Sequence, residues 1–112
     1  KVMGERLGAG RKAFLDAVDF IAAQAKADPN AAYSGSVPYL MLAGNLVAGW
    51  QLGRALLAAQ GLQGKGADEG FLKGKIATAR FYADHILTRI PGQRDAIVHG
   101  AHSVTALAPE EF

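Results

Sequence analysis

His99 and His102 stand three residues apart, close enough to share one face of a helix. Zinc would ask for a third ligand and usually a fourth, and the chain has no His-Glu-x-x-His motif and no cysteine thiolate to supply them. These two histidines and His85 are therefore read as solvent-facing or capping side chains, and no metal is expected. Gly8-Ala9-Gly10-Arg11-Lys12-Ala13 has the letters of a dinucleotide fingerprint, but that chemistry needs a strand before the turn and a βαβ unit around it. Only seven residues precede Gly8, and no such unit follows. Gly64-Lys65-Gly66 lacks the Ser or Thr of a phosphate-binding loop and reads as a flexible turn. Asp16 and Asp19 form an i, i+3 pair of the kind found on solvated helix faces, and Ser34, Ser36 and Ser103 sit in no nucleophile motif. The chain alone is not expected to be an enzyme, and no catalytic, cofactor-binding or metal residue is assigned.

The elements that would position these groups follow from composition and period. The chain has 112 residues, half of them hydrophobic and 20% charged, which suits one domain with one core spanning 1–112. A formal net charge of only +2 argues against a nucleic-acid partner. The basic groups Arg6, Arg11 and Lys12, then Lys73, Lys75 and Arg80, have acidic neighbours and read as solvated helix faces. The longest apolar run, Val37 to Trp50, is about 14 residues where a membrane span needs about 20, so it is expected to be a buried core helix. Absence of cysteine leaves the redox compartment open; a cytoplasmic location is expected. A chain opening on Lys1 is expected to be processed or excised from something longer.

Four helical segments are predicted. The first, Glu5 to Ala27, carries the stripe Leu7, Phe14, Val18, Ile21 and Ala25, and Asp28-Pro29-Asn30 ends it. Ser36 is the expected N-cap of the second, with Pro38 in its first turn and Gly61 as its stop near Gln60. Apolar nearly all round from Leu40 to Trp50, this helix is expected at the centre of the bundle. Asp68 caps the third, Glu69 to Ile90, whose seam is Leu72, Ile76, Ala79, Ala83, Ile86 and Ile90; Pro91-Gly92 ends it. A short fourth helix runs from Gln93 to Leu107. The predicted fold class is all-α, an antiparallel up-down four-helix bundle. Small residues at i, i+4 (Gly4 and Gly8, Gly49 and Gly53, Gly70 and Gly74) are read as points of close helix approach opposite bulky groups such as Trp50 or Phe14.

Two runs carry a resemblance. Ala48-Gly49-Trp50-Gln51-Leu52-Gly53 and Phe71-Leu72-Lys73-Gly74-Lys75-Ile76-Ala77-Thr78-Ala79-Arg80-Phe81-Tyr82-Ala83, with the closing Ser103-Val104-Thr105-Ala106-Leu107, resemble the C-terminal helical domain of bacterial acyl-CoA dehydrogenase-like enzymes of the 3-methylmercaptopropionyl-CoA dehydrogenase type. The resemblance covers nearly the whole chain. It implies a non-catalytic accessory domain of an FAD-dependent enzyme that removes a proton α to a thioester carbonyl and passes the β-hydride to flavin. FAD and acyl-CoA would then be met only through the parent enzyme, and this domain would pack on the catalytic domains of the same polypeptide or on a second subunit. The reading from a different class is a free-standing helical module that binds a partner protein or an acyl chain.

Two residues carry structural expectations. Asn45, in the middle of the most apolar helix, should be buried and hydrogen-bonded. On the third helix, Phe81 falls about 180° from the seam at 100° per residue. It lies there beside Gly74, Thr78 and His85, and these four are the candidate interface. Phe81 should be exposed or half covered.

Overall fold

The computed structural model describes residues 1–112 and contains helices and turns but no strand. Three long helices dominate, α1 (Val2–Ala27), α3 (Ser36–Leu62) and α4 (Glu69–His85), with α5 (Ile90–His99) completing the bundle. Two short helices, α2 (Pro29–Ser34) and α6 (Ala101–Val104), lie between and beyond them.

The corner after α1 does two jobs. Asp28 ends α1 through its N–H, which donates to Gln24 O, while its carboxylate accepts from Ala31 N–H at 3.4 Å and starts α2 with Pro29 in the first turn. Asp-Pro was expected only to stop a helix; it also starts one. Ser36 does not cap α3. Gly35 holds that position, and the Ser36 hydroxyl donates backward to Tyr33 O at 2.8 Å. Gly61 lies inside α3, which runs on to Leu62. The reversal follows at Gly64 and Gly66, whose φ values of 74° and 83° lie in the left-handed region that glycine enters without penalty. Asp68 then caps α4 as expected, accepting from Phe71 N–H at 3.1 Å, a bond that contributes about 1 kcal/mol.

The third predicted helix, Glu69 to Ile90, is in fact broken. α4 ends at His85, a 3-10 turn covers Leu87–Arg89, and α5 starts at Ile90 with Pro91 in its first turn. The proline ring cannot follow an α-helical Leu87, because it would meet the carbonyl four residues back and has no N–H to offer it. Pro91 therefore opens α5 rather than closing α4. The predicted fourth helix is correspondingly displaced and divides at Gly100 into α5 and α6.

α3 is the spine. Antiparallel to it, α1 sets Met3 and Leu7 against Gly53 and Gly10 against Leu46, while the Phe14 ring stacks on Tyr39 at 5.7 Å. α4 and α5 follow α3 in one sense: Thr78 lies beside Leu52, Leu87 against Gly49, Gln93 against Asn45, and Ile97 against Gly35. The fully buried large side chains are Leu42, Leu87, Ile90 and Ile97, at the meeting of α3 and α5. Of the predicted seam, Leu72, Ile76, Ala79, Ala83 and Ile90 are buried; the helix break adds Leu87 to the core and leaves Ile86 half-buried. On α1 the seam runs along Met3, Gly10, Ala13 and Ala17, with Phe14 and Ile21 flanking it and Ala25 exposed. Small residues take the centre because α3 and α5 approach closely there.

The small-residue pairs divide accordingly. A Cβ on Gly49 or Gly53 would meet Leu87, or Leu7 and Met3, so these are the close approaches, though not opposite Trp50 or Phe14. Gly4, Gly8 and Gly74 face open space, and Gly70 meets only the Asp68 side chain, so the other two pairs pack nothing.

The molecule is long and thin, 67 × 27 × 16 Å, with a radius of gyration of 18.4 Å where a compact chain of this length has about 13 Å. Its accessible surface is 7338 Å², against about 5,900 Å² for a typical monomer of this mass. Such a shape leaves much of each helix without a neighbour. The α3 helix shows it most: it is not buried all round as expected. Leu40, Met41, Val47 and Trp50 are more than half exposed.

Candidate functional site

The four candidate residues converge on the outward face of α4. Gly74, Thr78, Phe81 and His85 follow at steps of four, three and four, opposite Leu72, Ile76, Ala79 and Ala83. Burial of that second row fixes the direction of the first. Phe81 is 59% exposed, as expected, and its ring rests on the His85 ring at 4.5 Å between centroids. Thr78 donates its hydroxyl to Gly74 O at 2.9 Å. Sequence reasoning missed Phe71, three residues before Gly74 on the same face, which is also largely exposed and carries the Lys75 ammonium 5.4 Å from its ring. Its place was legible in the spacing of Phe71, Gly74, Thr78 and Phe81. Phe71, Gly74, Lys75 and Thr78 line a shallow depression of about 280 Å³ with Leu52 of α3, so this face reaches across to the spine.

Asn45 marks where α3, α4 and α5 meet. It is half-buried rather than fully buried. Its amide donates to Gln93 Oε1 at 3.3 Å, and its carbonyl accepts from Tyr82 O–H at 3.0 Å. The expected partner is therefore present, and the amide ties α3 to α5 while Tyr82 ties α4 to α3. Burial raises the Tyr82 phenol above its ordinary value, against the opposing pull of Arg89. No side-chain polar atom is buried without a partner.

A second concavity, about 600 Å³, opens where the start of α1 crosses α3 and α4. Met3, Leu7, Gly53, Leu56 and Ala83 form its apolar base; Trp50, Arg54, Arg80 and Asp84 stand at its rim. Arg54 lies over the Trp50 ring at 5.4 Å and donates to Gln51 Oε1.

The chemistry of the remaining polar groups is local. The Ser34, Ser36 and Ser103 hydroxyls each donate to a backbone carbonyl three residues earlier, so none faces a base. Asp16 pairs with Arg94 at 3.4 Å, and Arg94 also holds Asp95 at 2.9 Å. Those contacts, the Asp95 bond foremost, raise the Arg94 guanidinium further above its usual value. His99 Nε2 lies 3.3 Å from Arg94 Nη1 and, facing a pure donor, must accept. Gly100 separates His99 from His102, and no three His, Asp or Glu side chains converge as a metal would require. Gly8 and Gly10 lie within α1, so their letters form no phosphate-binding turn. No polar or charged side chain is buried. No helix is long and apolar enough to cross a membrane.

Residues 1–108 match the family described as "Acetyl-CoA dehydrogenase C-terminal like". The chain is 44% identical over 102 residues to a 3-methylmercaptopropionyl-CoA dehydrogenase of Ruegeria pomeroyi, covering 91% of this chain but 17% of that protein. It is 36% identical over 66 residues to a broad-specificity linear acyl-CoA dehydrogenase of Mycobacterium tuberculosis, covering 56% of this chain and 11% of that one. The chain thus spans about a sixth or less of the curated relatives it matches. No solved structure gives a significant match.

Proposed function

From a chain that belongs to the acetyl-CoA dehydrogenase C-terminal-like family, we propose a non-catalytic accessory domain of an FAD-dependent acyl-CoA dehydrogenase-like enzyme, packing on that enzyme's catalytic domains or on its dimer partner. The observation that carries the reading is the pairing of a match along nearly the whole chain with a surface on which apolar faces, and no reactive groups, converge. Flavin bound by the parent enzyme would supply hydride acceptance, and no residue of this chain is assigned to that step. The residues here offer packing surface: Phe81 and Phe71 on α4, with Gly74, Thr78 and His85 around them. A cytoplasmic location belongs to the same proposal. The test is a dehydrogenase assay on the parent enzyme with and without this segment. Loss of assembly or rate on deletion, with no turnover by the segment itself, is the expected result.

The alternative, a free-standing module that binds an acyl chain, has one observation in its favour, the 600 Å³ apolar concavity rimmed by Arg54 and Arg80. Titration of the chain with a long-chain fatty acid, read by Trp50 fluorescence, tests it.

A further inference from the structure

We infer that the exposed face of α3 from Val37 to Trp50 is the principal docking surface, and that its occupant is a helical surface of the remainder of the same polypeptide. The inference rests on the accessory-domain reading and adds to it the place of contact. Every exposed residue of α3 in this stretch is apolar: Val37, Leu40, Met41, Gly44, Val47, Ala48 and Trp50. Val37 and Leu40 are 68% exposed, Val47 57%, Trp50 53% and Met41 52%. The first polar exposed side chain is Gln51. The strip is about 20 Å long at 1.5 Å per residue. At its middle lies Gly44, where an added Cβ would meet nothing within 4 Å, between the larger Leu40, Met41 and Val47. A notch with apolar shoulders receives a ridge of side chains from a second helix.

Three observations choose the occupant. The chain covers only 17% of its 44%-identical relative, so most of such a protein lies outside the matched segment and is always present beside it. Tethering gives a contact of this kind an effective concentration near the millimolar range without any need for steering charges, and this face has none. The chain as a whole exposes about 1,400 Å² more than a typical monomer of its mass, and the five large apolar side chains of this strip are a contiguous part of that excess. A free partner or an occasional one would leave five large apolar side chains in water for much of the time.

The experiment uses the intact enzyme that carries this chain. Hydroxyl-radical oxidation of Met41, limited proteolysis and light-scattering mass are compared for wild type, Leu40→Arg, Gly44→Leu and Phe81→Ala. Leu40 is 68% exposed and an added Cβ on Gly44 meets nothing within 4 Å, so neither variant threatens the fold. Covering Met41 from 52% to a tenth exposed lowers its labelling about fivefold. The expected result is that protection in wild type, its loss in Leu40→Arg and Gly44→Leu with faster proteolytic release of the domain, and an unchanged particle mass. Equal labelling of Met41 in wild type and both variants overturns the inference. So does protection whose loss in Leu40→Arg halves the particle mass, which assigns the face to a second copy. If Met41 is open but only Phe81→Ala releases the domain, the accessory reading stands and the α3 face is wrong. If the domain is released as readily from wild type as from all three variants, the packing reading itself fails.

Discussion

Leu87 fills the space where a side chain on Gly49 would be. A Cβ there would stand 2.6 Å from Leu87 Cδ2 and 3.2 Å from its Cγ and Cδ1, and Leu87 is 2% exposed. α3 therefore meets the 3-10 turn between α4 and α5 at contact distance. Gly49→Ala must displace a core leucine held on every side, which costs about 1–3 kcal/mol and outweighs the roughly 1 kcal/mol that alanine contributes to a helix. The expected net loss is up to about 2 kcal/mol, read from the midpoint of urea denaturation. Gly8→Ala is the control. Its Cβ meets nothing, and it should gain about 0.5–1 kcal/mol.

That pair also shows how far the sequence was legible. Gly49 and Gly53 were recognisable as a close approach from spacing alone, but their partners were not. Leu87 stands outside the predicted seam, of whose last two members Ile90 is fully buried across the helix break and Ile86 only half-buried. Pro91 shifts the phase by forcing a 3-10 turn, and Leu87 takes the core position. The seam before the break, Leu72 to Ala83, was correct because nothing interrupts its period. Periodicity cannot say which face of an all-apolar helix is covered. Leu40, Met41 and Val47 read as core from composition and stand exposed. For α4 the opposite held: one polar face made the exposed position of Phe81 readable, and Phe71 could have been added from the same spacing.

Tyr82 gives a pH-dependent prediction. Tyr82→Phe removes the hydrogen bond to Asn45 O and should lower stability by about 0.5–1.5 kcal/mol at neutral pH. Burial raises the phenol above 10.0, so the fold favours its neutral form. That contribution is fully present below pH 10.0 and is lost as pH rises through the raised value. The denaturation midpoint of wild type should therefore fall more steeply than that of Tyr82→Phe above pH 10. Parallel curves would contradict this.

Ile97 tests the attachment of α5. It is fully buried against Gly35 at the start of α3, one of only four large side chains so enclosed. Ile97→Ala should cost about 2–5 kcal/mol, a large share of what so thin a bundle can hold. Circular dichroism during thermal unfolding should show the loss. A change below about 1 kcal/mol would mean that α5 contributes little to the core.

Phe81→Ala separates folding from docking. The ring is 59% exposed and rests on His85, so the substitution should leave the stability of the chain within about 0.5 kcal/mol of wild type. In the parent enzyme it should loosen the attachment of this domain, measured as its rate of proteolytic release. A large loss of stability in the isolated chain would make Phe81 a core residue and remove it from the proposed interface.

The claim that chemistry lies elsewhere and packing lies here is tested most directly by turnover. The purified 112-residue chain is supplied with FAD, an acyl-CoA and an artificial electron acceptor, beside the parent enzyme and the parent enzyme lacking this segment. The account predicts no acceptor reduction by the chain alone, reduction by the parent, and impaired assembly or rate when the segment is removed. Clear reduction by the chain alone would contradict it.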